Sequence, residues 1–438
     1  MIFLYNLSIR LYILLIRMAS LWNKKAESWL KGRKNLFARL SGKISPNDRI
    51  IWVHCSSAGE FEQGKPIIEK LKEKYPSHKI LVSFYSPSGY EIAGKYALAD
   101  WITYLPADTK SNAKKFLEIV KPELVIFVKY EFWYHHLSEA AFRHVPVLLA
   151  SAVFREDQMF FRSYGRFYRQ ILFLFRHIFV QDKTSLSLLN KSGITHSSIG
   201  GDTRFDRVNF LAGQSIDLPV ISHFVNEKKT IVAGSTWPQD ENLIADAYSE
   251  LKEYKLIIAP HEISPGHIES LQNSFAGAIK YSQVKAIFEE EKSFKGIWSH
   301  INKEEKEALL QKLQAAHILI IDNVGMLSRL YYYSTLCYIG GGFSNDGIHN
   351  VLEPAAFGKP VIFGPNFNKY REAKELIERG AAHSIGTADE FIDIVNRMDP
   401  GKEPGSVAGK KAKDYVSDNG GASQKLVNFI QENRLLTN

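Results

Sequence analysis

A glycine-rich run followed by a polar block carries the strongest chemical signal in this sequence. Gly340, Gly341 and Gly342 follow a short apolar run, and Asn350 and Glu353 come soon after them. Glycines let a backbone pass close to a ligand, and a helix that starts near Asn350 would direct free N–H groups at an anion. Glu353 could then accept hydrogen bonds from ribose hydroxyls. The pattern indicates a sugar-nucleotide site, and its alternative is an ordinary turn with an Asn cap and a first-turn acid.

A second candidate group follows the apolar run at 50–54. There Gly59 is expected to allow a tight strand-to-helix turn, which would leave Glu60 near the start of the helix. A carboxylate in that place can accept a proton from a hydroxyl during glycosyl transfer. The alternative is a first-turn acid whose role is to complement the helix dipole.

Charge is concentrated at the N-terminus. The 438 residues carry a net charge of +8, and residues 1–45 hold nine Lys or Arg side chains against one acid, so the rest of the chain sums to zero. This distribution indicates a membrane-facing end and argues against a nucleic-acid-binding body. The two cysteines, Cys55 and Cys337, fall in separate predicted domains, which fits a reducing cytoplasm and indicates neither a disulfide framework nor a metal site.

Residues 1–22 are rich in Leu, Ile, Phe and Tyr, but Arg10 and Arg17 interrupt them seven positions apart. A clean membrane span needs about 20 uninterrupted apolar residues, so an interfacial helix with its arginines toward phosphates is expected. Two alternatives stay open: a tilted single-pass anchor held by the basic run 24–43, and an amphipathic helix packed on the protein's own surface. No removed signal peptide is predicted.

Apolar runs alternate with helix-like segments along the rest of the chain, which predicts an α/β protein with two Rossmann-like doubly wound lobes. The expected strands lie at 50–54, 80–84, 124–128, 145–150, 178–181, 230–233, 255–259, 318–322, 336–339 and 360–363. The predicted domains are a membrane-associated segment at 1–45, an acceptor-binding domain at 46–212 and a nucleotide-sugar-binding domain at 213–438. Residues 277–316 are expected to form a solvated insertion, and a final helix at 422–436 to cross back to the first lobe. Ligands of such folds bind at the carboxyl edges of the strands.

Four segments resemble one family in order and spacing: HCSSAGE at 54–60, EFW at 131–133, GST at 234–236 and HNVLE at 349–353. They resemble the 3-deoxy-D-manno-octulosonic acid (Kdo) transferases of Gram-negative bacteria over nearly the whole chain. The resemblance implies a GT-B glycosyltransferase at the cytoplasmic face of the inner membrane. Such an enzyme moves Kdo from CMP-Kdo, a co-substrate, to the lipid A precursor with inversion and with neither a cofactor nor a bound metal.

The resemblance also implies roles in the first lobe. Glu60 matches the family's catalytic base, and Ser57 and Gly59 accompany it as substrate-binding residues. Glu131 matches the second of two glutamates that flank one residue in the family, although the first is Lys129 here. The alternative for Glu131 is a helix-start acid. Arg204 is a candidate partner for a substrate carboxylate or phosphate, and its alternative is a surface ion pair with Asp206.

In the second lobe the resemblance implies a set of donor-binding residues. They are Ser235, Thr236, Pro260, His261, Gly325, Met326, Gly341, Gly342, Asn350 and Glu353. Asn350 and Glu353 would contact phosphate and ribose, and Gly341 and Gly342 would make room for the donor. The family's Arg-His pair is Pro260-His261 in this chain, so the arginine is missing. The alternatives are helix caps for Ser235 and Thr236, a structural role for His261 and packing for Met326.

Two rival functions remain open from the sequence. One is a GT-B enzyme that uses a UDP-sugar, since glycine-rich turns and a ribose-binding Glu serve many nucleotides. The other is a non-catalytic, membrane-associated protein that binds a nucleotide or lipid. Competition by CMP against UDP separates the first, and tolerance of the loss of Glu60 identifies the second.

Overall fold

The computed structural model describes residues 1–94, 96–289, 303–399 and 401–437. The chain divides into two compact units. The first is Met1–Arg207 together with Asn419–Asn438, and the second is Val208–Asp418. The predicted boundary between 212 and 213 therefore lies close to the division, but the final helix belongs to the first unit and not to the range 213–438.

The first unit is built on a seven-stranded parallel sheet in the order β3-β2-β1-β4-β5-β6-β7. Its strands are β1 Ile50–Cys55, β2 Lys79–Phe84, β3 Trp101–Tyr104, β4 Pro122–Val128, β5 Val147–Ala152, β6 His177–Val180 and β7 Ser197–Ile199. Its helices are α1 Ile2–Ala19, α2 Lys24–Arg33, α3 Leu36–Ser41, α4 Ala58–Lys74, α5 Pro87–Ala93, α6 Lys110–Val120, α7 Tyr134–Phe142, α8 Arg166–Leu172, α9 Lys183–Lys191 and α22 Ala422–Glu432. Helix α10, Thr203–Ala212, contains the division between the units.

Strand β1 shows how this sheet makes two cores. All six of its residues are buried, and successive side chains point to opposite faces. Ile50 and Trp52 enter one cluster, whereas Ile51 and Val53 enter the other. The second cluster also takes in Leu426, Val427 and Ile430 of α22. The final helix therefore covers one face of the first sheet, as expected from the sequence.

The second unit repeats the plan with a parallel sheet in the order β10-β11-β9-β8-β12-β13-β14. Its strands are β8 Thr230–Thr236, β9 Lys255–Pro260, β10 Ile279–Lys280, β11 Ile318–Ile320, β12 Leu336–Ile339, β13 Val361–Phe363 and β14 Ala382–Ser384. Its helices are α11 Pro219–Val225, α12 Pro238–Tyr248, α13 Pro265–Ser274, α14 Tyr281–Val284, α15 Ala286–Glu289, α16 Lys303–Ala315, α17 Leu327–Leu330, α18 Leu352–Ala356, α19 Arg371–Glu378, α20 Ala388–Arg397 and α21 Glu403–Asp418. The predicted fold class is confirmed.

The segment predicted as a solvated insertion at 277–316 is in part packed. Strand β10 joins the edge of the second sheet, and Val284, Ile287 and Leu313 are buried. Residues 290–302 of this prediction lie outside the described residues.

Helix α1 is long and apolar enough to cross a membrane by length and composition, and none of its residues is fully buried. Tyr5 nevertheless donates its hydroxyl hydrogen bond to Asp108, and Asn6 Oδ1 lies 2.6 Å from His135 Nε2. One face of α1 is thus tied to the first unit while large apolar side chains on the remainder are exposed. Arg33, counted among the basic N-terminal residues, is enclosed by three aromatic rings, and burial lowers its pKa to about 10.

Candidate active site

The strand order of the first sheet reverses between β1 and β4, which are hydrogen-bonded neighbours. In a doubly wound sheet the carboxyl ends of such strands open a crevice where ligands bind. The loop after β1 carries Ser57 and leads to Glu60, and the loop after β4 carries Glu131. Three residues predicted from two separate motifs therefore lie at the same edge of one sheet.

Glu60 is the third residue of α4 and is partly exposed. The Ser57 backbone N–H donates to Glu60 Oε2 at 3.0 Å, and the Ser57 hydroxyl donates to the same oxygen. This capping box fixes the direction of the carboxylate at the helix N-terminus. The expected role of Gly59 in a tight turn is wrong, because Gly59 is the second residue of α4 and a Cβ there would meet only Ser57 Oγ, at 3.8 Å.

Glu131 is held from two sides in the loop before α7, with 8% of its surface exposed. The Trp133 indole N–H donates to Glu131 Oε2, and His54 Nε2 lies 3.3 Å from the same oxygen. Trp52 Nε1 donates to Ser83 Oγ at 2.7 Å, and His54 Nδ1 lies 2.8 Å from that hydroxyl oxygen. These contacts form one chain of hydrogen bonds when Trp52 donates to Ser83, Ser83 donates to His54 Nδ1, and His54 Nε2 donates to Glu131. The carboxylate is thus oriented by side chains and does not act as a helix-start acid.

The electrostatics of this edge tie its groups together. Burial raises the pKa of the Cys55 thiol, and the charges of Glu60 and Glu131 raise it further. Burial also raises the pKa of Tyr130, against the opposing influence of Arg155 and Arg204. A carboxylate pair and a nearby guanidinium group therefore share one region of the first unit.

Arg204 forms an ion pair with Asp202. Its Nε donates to Asp202 Oδ2 at 2.8 Å, and its backbone N–H donates to Asp202 Oδ1 at 2.9 Å. Asp206 instead accepts from the backbone N–H groups of Gly421 and Ser423 at the start of α22. Asp206 thus fastens the final helix to the first unit, and the ion pair that the structure shows for Arg204 is with Asp202.

The strand order of the second sheet reverses between β8 and β12. There Asp240, fully buried, accepts from the Gly341 and Trp237 backbone N–H groups at 2.9 Å each and from the Tyr338 hydroxyl at 2.7 Å. Burial raises the pKa of Asp240, and these three hydrogen bonds oppose the rise. Because Gly341 N–H is bonded inside the protein, that group is not a free anion donor.

The glycines after β12 are required by the packing of the loop itself. Gly341 has a φ of +91°, and a Cβ there would lie 2.5 Å from the Gly347 carbonyl oxygen. A Cβ on Gly342 would lie 2.5 Å from the Gly364 backbone. Close backbone contact therefore explains why these two positions are glycine. That they also make room for the sugar-nucleotide donor stays a prediction.

The last two residues of β8, both with hydroxyl groups, lie in different settings. Ser235 has a φ of +54°, an uncommon backbone conformation for a residue with a side chain, at an irregularity in the strand. The Thr236 hydroxyl is buried and donates to Glu241 Oε1 at 2.9 Å, and Glu241 also binds His267 Nε2 at 2.9 Å. Thr236 therefore holds α12 in place, whereas Ser235 is partly exposed.

The rings of Trp237, His261 and His349 stack beside the end of β8. The His261 ring lies 4.7 Å from that of Trp237 and 4.6 Å from that of His349, and the Trp237 indole N–H donates to His349 Nε2 at 3.0 Å. Burial and the charge of His261 lower the pKa of His349. His261 is exposed, follows the buried Pro260, and forms the middle of the stack.

The remaining residues predicted to bind the sugar nucleotide lie at the N-termini of two short helices, α17 and α18. Asn350 Oδ1 accepts from the Leu352 N–H at 3.1 Å, and Asn350 Nδ2 donates to Glu353 Oε1 at 3.1 Å. The expected helix is α18, only five residues long, so the anion-binding contribution of its dipole is small. Gly325, with a φ of +92° and open space around it, precedes the buried Met326 at the start of α17.

Two parallel doubly wound sheets with polar groups at both switch points define a GT-B-like architecture, the class to which many glycosyltransferases belong. A solved UDP-N-acetylglucosamine 2-epimerase superposes with a TM-score of 0.59 and 15% sequence identity, covering 89% of this chain and 97% of that one. At this identity the likeness establishes the fold alone.

The sequence comparisons agree with the resemblance seen in the motifs. Residues 30–207 match the family model described as 3-deoxy-D-manno-octulosonic-acid transferase. The Kdo transferase of Aquifex aeolicus is 28% identical over 80% of this chain and 85% of its own length. A bifunctional glycosyltransferase/methyltransferase of Fusobacterium nucleatum is 25% identical over 91% of this chain, which spans 58% of that protein. The resemblance predicted from the motifs is confirmed.

Three further residues belong to the candidate site. His54 and Trp133 lie inside two of the motifs, and both contact the Glu131 carboxylate. His349 also lies inside a motif, and its ring stacks on that of His261. Their positions immediately beside named motif residues were the available signal, but a contact such as that between His54 and Glu131 joins distant parts of the chain.

Proposed function

We propose that this glycosyltransferase moves Kdo from CMP-Kdo to the lipid A precursor, with inversion at the anomeric carbon and with no cofactor or bound metal. The observation that carries the proposal is the Glu60 carboxylate. It is oriented by Ser57 at the switch point of the first sheet, inside the segment that matches the Kdo transferase model.

In the proposed reaction a hydroxyl oxygen of the acceptor attacks the anomeric carbon of Kdo. The bond from that carbon to the phosphate oxygen of CMP breaks, and CMP leaves with the electron pair. Glu60 accepts the hydroxyl proton as the new ketosidic bond forms. Ser57 supports this role because its two hydrogen bonds hold one carboxylate oxygen and leave the other for the acceptor.

Glu131 and Arg204 are proposed to bind the acceptor. The chemistry is suitable because a fixed carboxylate accepts hydrogen bonds from sugar hydroxyls and a guanidinium group pairs with phosphate or carboxylate. Both bonds to Glu131 end on Oε2, which supports a role for Oε1 toward a substrate hydroxyl.

The second unit is proposed to bind CMP-Kdo. Glu353 is held by Asn350 and would accept from the ribose hydroxyls, while Ser235 and His261 would contact the phosphate or the Kdo carboxylate. Gly325 and Met326 would lie against the cytosine, Pro260 precedes His261, and Gly341 and Gly342 shape the loop. CMP carries a single phosphate, so its departure needs less charge neutralisation than that of a nucleoside diphosphate.

The proposed location is the cytoplasmic face of the inner membrane. The exposed apolar side chains of α1 and the basic residues that follow it suit an interface with anionic lipid, where the acceptor's phosphates and acyl chains lie. The partners in this proposal are CMP-Kdo, the lipid A precursor and the membrane surface, with no nucleic acid.

The test is to incubate the full chain with CMP-Kdo and a tetraacylated lipid A precursor and to follow the lipid by mass spectrometry. A product heavier by one or more Kdo residues supports the proposal. In a parallel experiment, CMP and UDP compete for binding to the free protein. Preference for UDP would favour a UDP-sugar enzyme, and CMP binding without any product would favour a non-catalytic protein.

A further inference from the structure

Tyr85 lies between the two loops that carry the candidate acids of the first unit. Its backbone N–H donates to the Ser56 carbonyl at 3.2 Å, one residue before Ser57. Its ring stacks on the Trp133 indole with centroids 4.5 Å apart and planes 25° apart. A shift of Tyr85 would therefore be transmitted to both loops.

The stack on Tyr85 determines how Trp133 meets Glu131. An indole N–H points along the plane of its ring, so stacking that fixes this plane limits the directions in which the N–H can donate. That N–H donates to Glu131 Oε2. The position of Tyr85 thus controls the orientation of the Glu131 carboxylate through Trp133.

The N-terminal segment holds Tyr85 from the other side. The Tyr12 ring of α1 lies 6.3 Å from the Tyr85 ring at an interplanar angle of 24°, and the Trp29 ring of α2 lies 5.7 Å away edge-on. The Arg33 guanidinium lies 4.9 Å over the Tyr85 ring and donates to the Tyr85 carbonyl at 2.8 Å. Burial, and then a hydrogen bond with Tyr12, raise the pKa of Tyr85, so its phenol stays neutral.

Tyr5 fixes α1 in the position that this contact needs. Tyr5 and Tyr12 are seven residues apart and lie on one face of the helix. The Tyr5 hydroxyl donates to the buried Asp108 and accepts from the Tyr134 N–H at 3.2 Å, next to Trp133. Helix α1 therefore reaches the end of the Glu131 loop in two ways, through Tyr5 at Tyr134 and through Tyr12 and Tyr85 at Trp133. It does so from outside residues 30–207, the segment that matches the family model.

We propose that α1 is a positioning element for Glu131, with Tyr12 as the residue that transmits its position through Tyr85 and Trp133. The inference rests on the proposed function only for the role of Glu131 in binding the acceptor. A helix that is solely an anchor would affect the reaction through the amount of enzyme at the membrane. A positioning helix affects turnover even when no bilayer is present.

The experiment compares the full-length wild type with Tyr12→Ala, Tyr12→Phe and the control Tyr164→Ala, whose side chain is 67% exposed. Turnover is measured with CMP-Kdo and acceptor in detergent micelles, and sedimentation with anionic vesicles measures membrane binding. We expect Tyr12→Ala to lower kcat about 10-fold, since small misplacements of reacting groups have such effects. The KM for CMP-Kdo and vesicle binding should be unchanged, and Tyr12→Phe, which keeps the ring, should restore most of kcat.

A second readout does not need activity. In protein labelled with 5-fluorotryptophan, the Trp133 fluorine resonance is assigned by its loss in Trp133→Phe. We expect Tyr12→Ala to shift that resonance and Tyr164→Ala to leave it in place. If the wild type makes no product, the proposed function fails and this shift alone decides whether α1 controls Trp133. An unshifted resonance, or an unchanged kcat of an active Tyr12→Ala variant, overturns the inference.

Discussion

His54 Nε2 lies 3.3 Å from Glu131 Oε2, although 77 positions separate the two residues in the sequence. His54 has no exposed surface, and its other ring nitrogen contacts Ser83. A buried imidazole between a hydroxyl and a carboxylate holds that carboxylate in one orientation. The neighbouring strands β1 and β4 bring about this contact, because one ends in His54-Cys55 and the other is followed by the Glu131 loop.

Replacement of His54 tests this relationship. His54→Phe keeps a ring of similar shape but removes both nitrogens, so Ser83 and Glu131 each lose a partner. We expect kcat to fall at least about 10-fold and the free energy of unfolding to fall by about 1–3 kcal/mol, the usual cost of leaving buried polar groups unpaired. Steady-state kinetics and urea unfolding measure the two effects. Unchanged kcat in a variant that folds would show that His54 does not position Glu131.

Ser57→Ala tests the support given to Glu60. The substitution removes the hydroxyl donor but keeps the backbone N–H that bonds the same carboxylate oxygen. We expect a loss of about 1 kcal/mol in the free energy of unfolding, as for other N-cap replacements, and a fall in kcat smaller than that caused by removing Glu60. Ser57→Thr is the matched control because it keeps the hydroxyl. Equal losses in Ser57→Ala and Ser57→Thr would contradict a role for that hydroxyl.

The fold was predictable where strands are long and apolar. Strand β1, IIWVHC, is buried throughout, and both strand series gave their central members. Four strands were missed: β3 (WITY), β7 (SSI), β10 (IK) and β14 (AHS). Each has only two to four residues and lies at the edge of a sheet, and in the last three polar residues leave no apolar run. They are strands because they lie at or beside the edge of a sheet that other segments have already formed.

Asp108 gives a prediction for acid pH. Burial alone raises the pKa of Asp108, but hydrogen bonds from His136, Tyr5 and the His135 N–H more than offset that effect, so the pKa lies below its usual value. A carboxyl with a lowered pKa stabilises the fold fully above its unfolded pKa, and this stabilisation is lost as pH falls through the folded value. We expect Asp108→Asn to weaken the pH dependence of stability below about pH 4.

Urea unfolding at several pH values measures the effect of Asp108→Asn. At pH 7 the variant should be less stable by about 2–3 kcal/mol, because Asn cannot replace an ionised acceptor of several hydrogen bonds. The difference from wild type should shrink as the pH is lowered. A difference that stays constant from pH 7 to pH 3 would refute this contribution of Asp108.

Glu353→Gln tests the ribose contact. If the carboxylate accepts from both ribose hydroxyls, its neutralisation removes charge-assisted hydrogen bonds worth about 1.5–3 kcal/mol. We expect the affinity for CMP, measured by calorimetry, to fall at least about 10-fold. Glu262→Gln, an exposed acid beside His261, is the control and should bind CMP as wild type does. Unaltered CMP affinity in Glu353→Gln would place the ribose elsewhere.

The candidate site was predictable as motifs but not as contacts. The sequence pointed to Glu60 and Glu353 because acids beside glycines and strand ends are local features. The partner of Arg204, the hydrogen bond from Thr236 to Glu241 and the stack of His349 on His261 depend on which loops meet at a sheet edge. Local sequence patterns do not determine these contacts between loops, because the contacts follow from the order of the strands in the sheet.

The most direct measurement is the mass of the lipid acceptor after incubation with CMP-Kdo and either wild type or Glu60→Gln, both shown beforehand to bind CMP equally. The account predicts Kdo addition by the wild type and at least about a 100-fold slower reaction by the variant, since a general base contributes that much or more. Equal product from both proteins would remove Glu60 as the base. No product from a wild type that binds CMP would contradict Kdo transfer to this acceptor.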